Sequence, residues 1–170
     1  MNLKEKILLF SATGFGSGYL PKIPGTWGTC VAVVIYIALF YIIKLSNVWL
    51  ILLSILTSIY GIYAANYGEK YFKKLDPGQV VIDEIAGYFI TMLFVPVNWI
   101  NIILGFFIFR ILDILKPPPA YKLQKLHGGL GIMIDDIIVG FYGMIILLLL
   151  NKIFPSFIIK INNIFVKILF

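Results

Sequence analysis

The chain has 170 residues, of which 61% are hydrophobic and only 13% charged, with a formal net charge of +6 and a mean hydropathy of +0.98. That is too little polar surface to cover a water-soluble globule, so the bilayer is the expected solvent. The lysines are scattered through short loops between apolar blocks, so no basic face for nucleic acid can form, and the single cysteine, Cys30, excludes an internal disulfide and a multi-cysteine zinc site.

At the N-terminus, Lys4 and Lys6 precede a short apolar stretch, ILLFSA, which reads as part of the mature protein rather than a signal peptide. A glycine-rich segment follows, ATGFGSGYLPKIPGTWGT from Ala12 to Thr29, expected as a loop or re-entrant segment. It lacks the closing Gly-Lys-Ser/Thr of a nucleotide-binding loop. Within it, Thr26 reads either as a hydroxyl for phosphate or metal, or as a helix N-cap.

Apolar blocks then fall at about 27 to 43, 48 to 66, 78 to 97, 99 to 115 and 130 to 150, each near the roughly 17 to 25 residues needed to cross a membrane. The expected fold is an all-α integral membrane protein, one domain over 1–170, with a compact bundle of about five transmembrane helices. Asp76-Pro77 reads as an N-cap followed by proline at the first helical position, which starts the third helix there. Lys44 to Asn47, Pro96 with Asn98, and KPPPAYKLQK from Lys116 to Lys125 break the blocks. The tail 151–170, with Lys152, Lys160 and Lys167 among apolar residues, is expected to lie at the interface, a short sixth span being the other reading.

Five of the eight acids sit inside these apolar blocks: Asp83 and Glu84, Asp113, and the adjacent Asp135 and Asp136. An ionisable group at membrane depth is costly enough that its default reading is functional. Placing the N-terminus in the cytoplasm puts Lys4, Lys6, Lys22, Lys70, Lys73, Lys74, Lys116, Lys122 and Lys125 inside and only Lys44 in the first two outer turns. The start of the third helix, the end of the fourth and the start of the fifth then share one surface, and the acids converge there. Arg110, Asp113 and Lys116 fall within a sector of about 120° on one helix face. Hard divalent cations such as Mg²⁺ take carboxylate and phosphate oxygens, arginine clamps phosphate, and Gly128 and Gly129 beside His127 would let backbone amides approach an anion at a helix start. Intramembrane acids also suit an ion- or proton-coupled transporter, the alternative reading, although transporters place them near the midplane in paired repeats.

PGTWGT, DPGQVVIDEIAG, RILDILKPPP and HGGLGIMIDDIIVG, in this order and at these separations over roughly residues 7 to 150, resemble the phosphatidylglycerophosphatase A family of bacterial membranes. The resemblance implies Mg²⁺-dependent hydrolysis of the phosphomonoester of phosphatidylglycerophosphate at the cytoplasmic leaflet of the inner membrane, in phospholipid biosynthesis. It assigns Asp83, Glu84, Asp135 and Asp136 as metal ligands, with Asp113 and His127 as further catalytic candidates. Arg110, Lys116, Thr26, Gly128 and Gly129 become the phosphate pocket.

Overall fold

The structure is a computed structural model that describes residues 1–124 and 126–169, so Lys125, counted above with the inner charges, lies outside the described residues. Among these residues the chain is helical, without strands: α1 (Leu3–Ala12), α2 (Pro24–Tyr36, continuing through a π-helical segment Ile37–Ile42), α3 (Asn47–Phe72), α4 (Ile82–Thr91), α5 (Trp99–Leu115), α6 (Ala120–Leu123), α7 (Gly129–Ile153) and α8 (Pro155–Leu169). Three of these are long and apolar enough to cross a membrane: Pro24–Ile42, Asn47–Phe72 and Gly129–Ile153.

The expected third span takes a different form. Instead of running from Asp76, the chain stays non-helical to Val81, because Val80 N–H bonds to Pro77 O (2.8 Å) and Val81 N–H bonds to Ala12 O (2.9 Å), tying this segment to the end of α1. Asp76 is exposed in a left-handed turn (φ 43°) and caps nothing. α4 has only ten residues, a rise of about 15 Å, half the hydrocarbon core. Nine of the ten are buried, and α4 touches α2, α3, α5 and α7. Its apolarity answers to protein on all sides, the pattern of a core helix. The expected fourth span is the 17-residue α5. It starts where the Asn98 side chain accepts Asn101 N–H and stops at Lys116 in a left-handed conformation, before three prolines.

Two seams fix the helices around α4. Between α4 and α7, the Thr91 hydroxyl donates to Gly87 O (3.0 Å) and Gly140 O (3.3 Å). A Cβ at Gly140 would stand 2.6 Å from Gly87 O, so glycine permits backbone contact of the small-residue kind that holds membrane helices together. Between α5 and α7, at the end away from the acids, the amides of Asn101 and Asn151 bond reciprocally at 3.0 Å. α8 docks beside this end: Ile158 is buried and Asn162 Oδ1 accepts Trp99 N–H at 3.1 Å. With 15 residues, α8 rises about 22 Å, short of the roughly 30 Å core. The tail is thus a helix docked against α5 and α7.

The N-terminal loop leaves α1 at Thr13, makes a 3₁₀ turn over Ser17–Tyr19 and enters α2 with Pro24 at its first turn. Trp27 Nε1 donates to Pro21 O (3.4 Å), holding the loop against the helix it precedes.

Candidate active site

Antiparallel alternation brings the starts of α2, α4 and α7 and the end of α5 to one end of the bundle, and the acids meet there. Asp83 and Glu84 occupy the first turn of α4, where unpaired N–H groups and the helix dipole favour anions and offset part of their burial. Asp83 is 9% exposed. Asp135 and Asp136 lie in the second turn of α7, 3% and 2% exposed. From α5, Arg110 Nη1 stands 2.6 Å from Asp113 Oδ2 and 3.6 Å from Glu84 Oε1, while Lys116 Nζ bonds to Asp135 Oδ2.

Asp83, Glu84 and Asp136 each present a carboxylate oxygen within 4.8 Å of the other two. Asp83 Oδ1, Glu84 Oε2, Asp135 Oδ1 and Asp136 Oδ2 are buried oxygens without a hydrogen-bond partner among the described residues. A buried polar atom left unpaired costs on the order of 1–3 kcal/mol, and three of these acids, Asp83, Glu84 and Asp136, form one cluster whose donors fit a cation. Five carboxyl groups face two cations, Arg110 and Lys116. A phosphate would be repelled from such a site unless a cation restored the balance, which is what a bound divalent ion does. Hard, buried oxygen donors within a few ångströms fit Mg²⁺ chemistry. Just past the end of α5, burial opposes the charge on Lys116, but the hydrogen bond it donates to Asp135 and the charges of Asp135, Asp136 and Asp113 outweigh it and raise its pKa.

The other expected residues are dispersed. Thr26 is half-buried within the first turn of α2, its N–H bonded to Ile23 O (3.0 Å); Ile23 is the capping residue, so Thr26 is not an N-cap. His127 is exposed in the turn before α7 and belongs to none of the ion pairs. Gly128 (φ 75°) and Gly129 face α3: a Cβ at Gly129 would lie 1.9 Å from Ile62 O and one at Gly128 3.0 Å from Asn66 Oδ1. Their smallness serves helix packing.

Gly25 was not among the expected site residues. A Cβ there would stand 2.1 Å from Glu84 Oε1 and 3.1 Å from both terminal nitrogens of Arg110, so the start of α2 is pressed onto the ion pair. Its signal was the Pro24-Gly25 step opening the block, since proline begins a helix and glycine admits a close neighbour.

Fold and site together define a helical membrane protein with an acid-and-cation chamber at one end of its bundle. The phosphatidylglycerophosphatase A family profile matches residues 10–151. A relative from Escherichia coli named phosphatidylglycerophosphatase A is 40% identical over 132 residues, 76% of this chain and 74% of its own, and one of the same name from Haemophilus influenzae is 36% identical over 137 residues, 79% and 83%. A Bacteroides thetaiotaomicron relative with the provisional name phosphatidylinositol-3-phosphatase is 40% identical over 141 residues, 79% and 87%. The chain belongs to the phosphatidylglycerophosphatase A family and is a phosphatase by that membership. No solved structure matches it.

Proposed function

We propose that the protein hydrolyses the terminal phosphomonoester of phosphatidylglycerophosphate, giving phosphatidylglycerol and inorganic phosphate, with Mg²⁺ held by Asp83, Glu84 and Asp136. The observation that carries this is the group of unpartnered oxygens on those three acids, beside two cations in a chain of this family.

The residues divide into two sets. Asp113 and Asp135 are held closely by Arg110 and Lys116, whereas Asp83, Glu84 and Asp136 each keep an unpartnered oxygen and present oxygens within 4.8 Å of one another. A divalent ion held there would supply neutralisation of phosphoryl charge and activation of water. Arg110, with two planar donor edges, clamps non-bridging phosphate oxygens as it turns from Glu84, and Lys116 contributes a second positive charge. Water adds to phosphorus, the phosphorus–oxygen ester bond breaks, and the departing glycerol oxygen takes up a proton.

Eight lysines, Lys4, Lys6, Lys22, Lys70, Lys73, Lys74, Lys116 and Lys122, belong to segments at the acid end, against Lys44, Lys152, Lys160 and Lys167 at the other. By the positive-inside rule the chamber opens to the cytoplasmic side of the bacterial inner membrane.

The test is phosphate release by purified protein given phosphatidylglycerophosphate, with Mg²⁺, with chelator, and with Mg²⁺ restored. Phosphatidylinositol-3-phosphate serves as the competing substrate. Release that chelator abolishes and Mg²⁺ restores is expected. No release under any condition, or release indifferent to chelation, overturns the activity or the metal assignment respectively.

A further inference from the structure

Arg110 and Lys116 are held by the acids of the chamber. Lys4 and Lys70 enter no ion pair among the described residues, yet with Tyr60, Tyr63, Asn66 and Tyr67 they line one cavity of about 440 Å³ between α1 and α3. Two facing helix stripes build it. Tyr60, Tyr63, Tyr67 and Lys70 fall within a sector of about 80° on α3, and Lys4, Leu8 and Ser11 recur at i, i+4 and i+7 on α1. The Tyr60 hydroxyl donates to Ser11 Oγ (3.0 Å), which joins the two stripes at one end. Lys70 stands in the last turn of α3, about 15 Å along the helix from Tyr60.

The cleft is rich in donors and poor in acceptors. The hydroxyls of Tyr63 and Tyr67 and the side-chain amide of Asn66 have no hydrogen-bond partner among the described residues. Glu5, the acid of α1, is occupied by Asn2 N–H (2.9 Å) and the Met1 amine (3.9 Å), and Glu69, next to Lys70 in sequence, does not line the cavity. Two ammonium groups, two free phenols and an amide in one concavity match an anion with several oxygen acceptors. The surroundings say which kind. On α1, Leu3, Ile7 and Phe10 share an exposed apolar face, as in a helix lying on lipid, and Tyr60 and Tyr63 are exposed on α3, as in an aromatic belt at headgroup level. The cleft is separate from the chamber: Asn66 adjoins Gly128 at the start of α7, whereas Asp135 and Asp136 on that helix turn to Lys116 and to the acids of α4.

We propose that this cleft binds the headgroup of an anionic phospholipid from the leaflet at the acid end, a lipid that is held there and not hydrolysed. Its phosphate oxygens accept from Lys4, Lys70 and the phenols, and its chains lie along the exposed Ile59 and Leu56 of α3. A choline headgroup carries a fixed cation against two ammonium groups and is disfavoured.

Full-length protein in detergent is given equal amounts of dioleoyl phosphatidylglycerol and dioleoyl phosphatidylcholine, and the bound lipid is weighed by native mass spectrometry. Wild-type protein is expected to retain phosphatidylglycerol in preference. A lysine beside an anionic headgroup is worth about fivefold in binding, so Lys4→Gln with Lys70→Gln is expected to lower that preference about tenfold or more. Lys6→Gln with Lys122→Gln removes the same charge outside the cleft and is expected to keep the wild-type preference. Wild-type protein without a preference overturns the proposal, as does an unchanged preference in the Lys4 and Lys70 variant or an equal loss in the Lys6 and Lys122 variant. Displacement of the lipid by millimolar inorganic phosphate alone would make this a site for a free anion and overturns the lipid assignment. Binding is read without turnover, so its failure leaves the phosphatase reading standing, and a protein that releases no phosphate leaves the lipid site standing.

Discussion

Replacing Gly25 with alanine puts one methyl group against the ion pair on which the chamber depends. The new Cβ would sit 2.1 Å from Glu84 Oε1, where ordinary contact begins at 3.4 Å, so the carboxylate must withdraw by more than about 1 Å. That displacement moves Glu84 off Arg110 and away from the oxygens of Asp83 and Asp136, and misplacement on this scale costs on the order of a hundredfold in rate. The clash is with the far end of a flexible side chain, and Gly25 is helical, a setting where alanine is favoured over glycine by about 0.5–1 kcal/mol. Stability should therefore hold while activity falls. Phosphate release and thermal unfolding in the same detergent read the two effects separately. Gly25→Ala combined with Glu84→Asp, which withdraws the carboxylate by one methylene, should be more active than the two separate losses multiplied together. Wild-type turnover in Gly25→Ala would refute the idea that Glu84 must stand where it does.

Other expectations follow from the same contacts. Lys116→Met leaves Asp135, 4% exposed in its side chain, as an uncompensated buried charge and should destabilise by about 3 kcal/mol; adding Asp135→Asn should return most of it in the same unfolding assay. Gly129→Ala drives a Cβ to 1.9 Å from Ile62 O and 2.7 Å from Asn66 N; these are backbone atoms that cannot swing aside, so a sharp loss of folded yield on size-exclusion chromatography is expected. Asn151→Leu removes the reciprocal amide pair with Asn101 and should cost about 1–2 kcal/mol with kcat preserved, because the pair lies at the end remote from the acids.

What was legible in the sequence was what hydropathy and charge encode directly. The blocks that became α2, α5 and α7 could be bounded within a few residues, since each is apolar for most of a membrane's thickness. The meeting of Asp83, Glu84, Asp113, Asp135 and Asp136 followed from alternating direction and lysine placement, before any side-chain distance was known. The block at 78–97 was misjudged because hydropathy does not distinguish a residue facing lipid from one facing protein: α4 is as apolar as a span but only ten residues long. Asp76-Pro77 carried a sound capping signal that lost to a tertiary bond, Val81 to Ala12, which no local pattern announces. α1, which starts at a capping box of Asn2 and Glu5, was not among the expected elements, being too short an apolar stretch to register as a span. Gly128 and Gly129 were assigned to an anion because glycine admits any close neighbour, and only the fold identifies that neighbour as α3.

The brevity of α4 carries a consequence for life in a changing membrane. Thickening or thinning the bilayer tilts or stretches the long outer helices by hydrophobic mismatch, yet the segment bearing Asp83 and Glu84 is a passenger wrapped in its neighbours, with no lipid boundary of its own to match. Lipid remodelling would therefore strain the casing before it reached the chemistry inside.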